Sequence, residues 1–408
     1  MVQMPVYCDN LATTPVDPRV LECMLPYFTE HFGNAASKTH AFGWRAQEAV
    51  ERARAQVAAL LGARTREIVF TSGATESNNL AIKGAVGFYR EKGNHVVTCA
   101  TEHKAVLDCC RSLETRGCEV TYLPVDGCGV VDLDALNDAI GERTVLISLM
   151  AANNEIGTLQ PLEQIGALAK ERGVFWHCDA AQAVGKIALD VDELGVDLLS
   201  LSGHKLYGPK GVGALYVRSR RPRVRLEAQL EGGGHERGLR SGTLDVPGIV
   251  GLGRACELCS EEGGDEGGRL VELRRRLYRG IAARVHDMQL NGHPERRLPG
   301  CLHLSFEGLD GADLLLALQD VALSSGSACT SADDEPSHVL NAIGLDETRA
   351  SASLRFGLGR FNTDEEIDYV ADRVAAEVGR LRAMYGGQAS VDQVEETSAN
   401  PAERAAHL

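Results

Sequence analysis

Residues 199–213 read LSLSGHKLYGPKGVG. Val196, Leu198, Leu199 and Leu201 make a short apolar run that stops at Ser202-Gly203-His204-Lys205, and a turn-rich GPKGVG follows. That order predicts a buried strand delivering one lysine, Lys205, to a polar cavity, with glycines that let other groups approach the backbone. A strand-end lysine can also snorkel to solvent. Inside an apolar core an ammonium is costly unless it is neutralised or used covalently. The rest of the chain decides between the two.

From Glu67 onward, strands and helices alternate. EIVFTSG reads as a strand running into a turn, and ATESNNLAIKGAVGFYR as the helix that the turn opens. HVVTCAT, EVTYLPV, TVLISLMA, VFWHCDA, LLSLSG and GALYVR read as further strands, most of them separated by helical stretches such as Leu162–Arg172. The pattern predicts an α/β fold with a mostly parallel sheet and helices on both faces. Ligands of such sheets gather at the carboxyl ends of the strands. Before the alternation, residues 33–43 (GNAASKTHAFG) read as an ordered loop suited to a ligand. Ala46, Val50, Ala53, Val57, Leu60 and Leu61 then mark an amphipathic helix that Gly62 ends.

With 408 residues the chain can bury a large core in more than one domain. Its net charge of −15 argues against nucleic-acid backbones and anionic membranes as partners. MVQMPVYCDN has neither a basic nor an apolar signal region, and no apolar run approaches membrane-spanning length, so a cytoplasmic location is expected. The 12 cysteines are irregularly spaced, and most read as small buried hydrophobes. Cys256 and Cys259 form a lone CxxC without a second pair at metal spacing.

Around 255–268 the composition shifts to EEGGDEGG, which reads as an exposed acidic break before a basic helix over 269–285. Residues 15–258 are therefore expected to form the large domain. Residues 1–14 and 259–385 form a smaller α+β unit, and 386–408 a flexible polar tail.

Three signals converge on Lys205. Thr71-Ser72-Gly73-Ala74-Thr75-Glu76 places free N–H groups and hydroxyls at a helix N-terminus, which suits a phosphate. Read blandly, the same residues are an N-cap with Glu76 as its capping partner. Asp179 ends the strand VFWHCD, and His103 follows another strand in TEHKAV. A strand-end lysine, a carboxylate, a phosphate turn and a flat ring together match what pyridoxal phosphate needs. The lysine forms a Schiff base, and the aspartate keeps the pyridine nitrogen protonated. In Ser324-Ser325-Gly326-Ser327-Ala328-Cys329-Thr330-Ser331 the small residues predict a mobile loop that carries an exposed thiol, Cys329. Arg355, in SLRFGLGR, suits bidentate capture of a substrate carboxylate.

SGHKLYGPKGVGALYVR, TSGATESNNLAIKG, TEHKAVLD, NNEIGTLQP, DAAQAVGK, GGGHERGLRSGT and SSGSACTS together resemble the group I cysteine desulfurases of the IscS/NifS type, within the class-V aminotransferases. The resemblance covers about residues 5–384 and is strongest to the housekeeping IscS branch. It implies the fold type I, aspartate aminotransferase-like architecture of pyridoxal-phosphate enzymes, working as a homodimer. Lys205 would carry the cofactor, Asp179 would pair with the pyridine nitrogen, and Gln182 and His103 would contact the ring. Ala74, Thr75, Ser202 and His204 would bind the phosphate, with Thr243 reaching it from the other subunit. Asn154 and Arg355 would hold the carboxylate of L-cysteine. Cys329 would be the nucleophile, becoming a persulfide as alanine is released, and would also serve as a transient [2Fe-2S] ligand.

The implied sulfur acceptors are an iron–sulfur scaffold protein and TusA-like or ThiI-like proteins of tRNA thiolation. Ala181 and Ala183 stand where relatives often carry a hydroxyl, and ETSANPAERAAHL departs from the scaffold-docking tail of IscS-type relatives. Selenocysteine lyase and aminotransferase activities run on the same scaffold. Cys329 on a long loop argues against transamination, which has no use for a thiol there.

Overall fold

The computed structural model describes residues 2–325 and 337–397, with side chains through 385. A seven-stranded sheet runs in the order Ile68–Thr71, Gly213–Val217, Leu198–Ser202, Phe175–Asp179, Thr144–Ser148, His95–Cys99 and Glu119–Leu123. The five strands from Glu119–Leu123 to Leu198–Ser202 are mutually parallel, while Gly213–Val217 is antiparallel to both of its neighbours. These are the seven strands that the sequence pattern predicts. Helices on both faces bury the inner strands, which explains their near-continuous apolar runs. The edge strand Glu119–Leu123 stays largely half-exposed.

A second, four-stranded antiparallel sheet joins Ser324–Ser325, Ser353–Gly357, Cys301–Phe306 and Met288–Leu290. Its own apolar cluster includes Leu273, Leu277, Leu304, Phe306, Leu354, Phe356 and Val374. The N-terminal segment crosses to this unit, where Val6–Tyr7 pairs with Val321–Ala322.

The expected acidic break does not exist. Residues 261–268 lie inside one helix, Val246–Ala282, of 37 residues. Its first half buries Ile249, Leu252, Cys256 and Cys259 in the large core, and its second half buries Leu270, Leu273, Leu277 and Ile281 in the small one. The acidic residues between are engaged as well. Glu262 pairs with Arg19, and Glu266 accepts from Arg360 at 2.8 Å. Packing at both ends offsets a glycine cost of about 1 kcal/mol per residue, which is what local composition registers.

The loop before Glu236 is tied to the first strand by a buried ion pair. Arg54 donates from both terminal nitrogens to Glu236, each at 2.7 Å, and Phe70 N donates to the same carboxylate at 2.8 Å. The two side chains are 5% and 2% exposed. Removing one partner of such a pair strands the other charge, so Arg54→Met is expected to destabilise by about 3–5 kcal/mol. A fall in the urea midpoint at an unchanged slope measures it.

Candidate active site

A cleft of about 630 Å³ opens at the carboxyl ends of the parallel strands. Lys205 projects into it from the turn Gly203–Lys205, immediately after the strand Leu198–Ser202. Its Nζ donates to the carbonyls of Leu11 at 2.6 Å and Ala12 at 2.7 Å. The lysine is therefore held inside the site by the N-terminal loop and does not snorkel outward. The sequence patterns do not show this contact, because backbone carbonyls leave no residue-type signal.

One wall is a helix N-terminus with the geometry to receive an anion. Ser72 and Gly73 lead into the helix Ala74–Tyr89, and Gly73 takes φ +148°, a conformation that L side chains rarely adopt. A Cβ on Gly213 would come within 2.5 Å of the Leu201 carbonyl and 2.7 Å of Gly73 Cα, so this turn packs backbone on backbone. Glu76 does cap locally, accepting from Ser72 N at 2.8 Å, and is itself held by Arg240 Nε at 2.8 Å. The first-turn N–H groups at Ala74 and Thr75 have no intrahelical acceptor and face an electropositive helix end. Ser202 and His204 complete this side of the cleft. His204 Nδ1 lies 3.1 Å from Thr13 Oγ1. Burial and the neighbouring lysines bring its pKa down to about 4, so the ring is neutral at pH 7.

The deep end holds Asp179, which is 7% exposed. Asn78 Nδ2 donates to its Oδ2 at 2.7 Å, and Ala181 N donates to its Oδ1 at 3.0 Å. Asn78 escaped the sequence reading. The signal was there in its position four residues after Ala74, on the same helical face. Its own Oδ1 is buried without a hydrogen-bond partner among the described residues.

His103 stands on the wall with its ring open to the cleft. Desolvation by the cleft walls lowers its pKa, and neighbouring Lys205 acts in the same direction. Ala105 N donates to Nδ1 at 3.1 Å, so the neutral ring carries its proton on Nε2. Beneath it, Glu102 is fully buried, and burial holds its carboxyl well above the usual range.

The fourth side comes from the small unit. Arg355, on Ser353–Gly357, donates from Nη2 to Asp9 Oδ1 and Ser324 Oγ, each at 2.9 Å, and from Nη1 to the Asn154 carbonyl at 2.9 Å. It is 5% exposed yet lines the cleft, so it is no surface ion pair. Gln182 lines the same cavity and donates from Nε2 to the Leu11 carbonyl at 2.8 Å.

One cavity thus gathers Lys205, Asp179, His103, Gln182, Ala74, Thr75, Ser202, His204, Asn154 and Arg355. Thr243 is exposed and does not line it. Cys329 falls in 326–336, outside the described residues. Residues 33–43 do not line the cavity either, and Ala41 already starts the helix Ala41–Leu60. Cys256 and Cys259 are both buried, and burial raises both thiols, Cys259 to about 11, so neither is a ready thiolate. Among the described residues no group of three or more His, Cys, Asp or Glu could hold a metal ion. No described helix is long and apolar enough to cross a membrane.

The donor set fits pyridoxal phosphate: an anion cradle at one end, a buried carboxylate at the other and an amine between them. The class defined is a fold type I enzyme of the aspartate aminotransferase-like architecture. The chain belongs to the aminotransferase class-V family, whose family model matches residues 6–370. It is 58% identical over 383 residues to a protein named "Cysteine desulfurase IscS" from Anaeromyxobacter sp. (strain Fw109-5), covering 94% of this chain and 95% of that one. Among solved structures, a "NIFS-LIKE PROTEIN" superposes with a TM-score of 0.85 at 39% identity, covering 92% of this chain and all of its own. "SspA in complex with cysteine" gives a TM-score of 0.77 at 39% identity, covering 88% of this chain and 100% of that one.

Proposed function

We propose that this protein is a pyridoxal-phosphate-dependent cysteine desulfurase that converts L-cysteine to L-alanine and carries the sulfur away as a persulfide on Cys329. The observation that carries the reading is the convergence of Lys205, Asp179, the Gly73 turn and Arg355 on one cleft. Bound there, pyridoxal phosphate supplies an aldehyde that condenses with amines and a protonated ring that accepts the electrons left at Cα.

Arg355 captures the substrate carboxylate, oriented by Asp9 and Ser324 and helped by Asn154. Lys205 Nζ would hold the cofactor at rest and, once free, would take the Cα proton and later return it. The Leu11 and Ala12 carbonyls keep that nitrogen inside the cleft between the two events. Asp179, fixed by Asn78, stabilises positive charge at the deep end. His103, protonated at Nε2, covers the ring and can pass a proton within the cleft. The Cys329 thiolate attacks the substrate sulfur. An S–S bond forms as the Cβ–S bond breaks, the electron pair passes to the carbon skeleton, and protonation completes alanine.

The protein would act as a homodimer, with Thr243 of one subunit completing the phosphate site of the other. The persulfide would pass to an iron–sulfur scaffold protein or a tRNA-thiolation carrier, and Cys329 would transiently ligate a [2Fe-2S] cluster. The cofactor domain would comprise 15–258, and the unit bearing the thiol 1–14 and 259–385.

Incubation with L-cysteine, with alanine and sulfide measured together, tests the activity. Cys329→Ser is expected to keep the visible absorbance of the bound cofactor and to lose alanine and sulfide production. Wild-type turnover in that variant would remove Cys329 from the mechanism.

A further inference from the structure

A second lysine stands beside this site, and the reaction as proposed does not use it. Lys186 ends the segment DAAQAVGK, four residues beyond Gln182 in the turn that follows the strand Phe175–Asp179. Gln182 lines the main cleft. Lys186 does not, and lines instead a small enclosed pocket behind it with Cys259, Tyr207 and Glu266. Among the described residues no carboxylate forms a salt bridge with Lys186, and Glu266 is taken by Arg360 at 2.8 Å. The charged and titratable groups that act on it include Lys205 and Arg355, both cations, His204, and the thiols of Cys259 and Cys301. Burial and then the charge of Lys205 bring its pKa down to about 7. A lysine held under those conditions needs a reason to be there.

The hydrogen bonds supply one. Lys186 Nζ donates to Gln182 Oε1 at 3.0 Å. Gln182 Nε2 donates to the Leu11 carbonyl at 2.8 Å, and that carbonyl also receives Lys205 Nζ at 2.6 Å. A side-chain amide has one oxygen and two N–H donors, and its two orientations differ little in shape. Here the oxygen is held by Lys186 and one N–H by Leu11. The remaining N–H is the polar valence that the amide has left to offer the cleft.

We propose that Lys186 is a positioning residue: it holds the Gln182 amide in the orientation that presents an N–H donor, not an oxygen, to an acceptor oxygen on the cofactor ring. This rests on the cofactor assignment made above. The chain Lys186–Gln182–Leu11–Lys205 then links the ring donor to the nitrogen that carries the cofactor. Losing the donor destabilises the anionic ring oxygen, and losing the Lys186 charge favours a cation at Lys205. Both changes raise the pH at which the lysine-bound chromophore loses its proton.

The test is a spectrophotometric pH titration of the holoenzyme, without substrate, for wild type, Lys186→Met, Lys186→Arg, Gln182→Leu and the Lys186→Met/Gln182→Leu double variant. Lys186→Met is expected to raise the apparent pKa of the chromophore by about one unit, the scale of one lost hydrogen bond. Lys186→Arg, which keeps a donor, should restore most of it. In the Gln182→Leu background Lys186→Met should add only the smaller shift that comes from its charge acting directly on Lys205. Should Lys186→Met fail to fold, Lys186→Leu, which also lacks a donor, takes its place with the same expected shift. An unshifted titration in chromophore-bearing Lys186→Met or its leucine replacement, or an equal shift with and without Gln182, overturns this inference alone. A wild-type protein that takes up no chromophore overturns it together with the proposed function.

Discussion

Replacing Lys205 by alanine is expected to abolish covalent attachment of the cofactor and to remove the visible absorbance of the lysine-bound form. The side chain lies in the cleft, where it reaches the Leu11 and Ala12 carbonyls, and belongs to neither apolar core, so the fold should survive with an unchanged far-ultraviolet spectrum. Turnover of L-cysteine loses the proton relay at Cα, which by itself is worth about 10²–10⁴-fold. Absorbance after dialysis and alanine production together measure the two losses. Exogenous amines should recover part of the rate, because the missing group is a base and not a wall of the cavity.

The second large effect is expected at Asp179. Asp179→Asn preserves size and leaves an oxygen for Asn78, but it removes the negative charge at the deep end of the cleft. An electrostatic partner fixed in place before the reaction is worth about 10²–10³-fold when removed. The variant should therefore still attach cofactor to Lys205 while turnover falls by about that factor. The contrast with Lys205→Ala is the useful part: one variant loses attachment, and the other keeps attachment and loses rate. If Asp179→Asn turned over at the wild-type rate, the deep carboxylate would be a structural cap for Ala181 and nothing more.

Much of this architecture was legible in the sequence because inner strands of a parallel sheet are buried on both faces. Each therefore appears as an uninterrupted apolar run, and FWHCD or LLSLS announces itself without a partner in view. The residues that follow those runs are polar and meet at the cleft, so the placement of Lys205, Asp179 and His103 was legible too. Thr71–Glu76 was legible only as an even choice between a cap and an anion site. The cap is observed at Ser72, where Glu76 accepts from its N–H, while the Gly73 turn beside it lines the cleft.

What could not be read has a common cause. The continuity of Val246–Ala282 depends on two cores and two arginines distant in sequence, whereas the local glycines argue for a break. The N-terminal loop grips Lys205 through main-chain oxygens, and any residue carries those. Asp9 reaches Arg355 across 346 positions of chain. Asn78 and Lys186 look ordinary in sequence. They gain meaning only when a helix turn and a strand end bring them against Asp179 and Gln182.

The central claim is that Lys205, among the lysines of this chain, holds the cofactor covalently. Borohydride reduction of the holoprotein, followed by proteolysis and mass mapping, tests it in one step. Reduction turns a lysine-bound aldehyde into a stable amine, so the phosphopyridoxyl mass stays on its residue. The expected result is that mass on the peptide containing SGHKLYGPK, at Lys205. The same mass on Lys186 or Lys210, or no modified peptide from a protein that has taken up cofactor, would contradict the account.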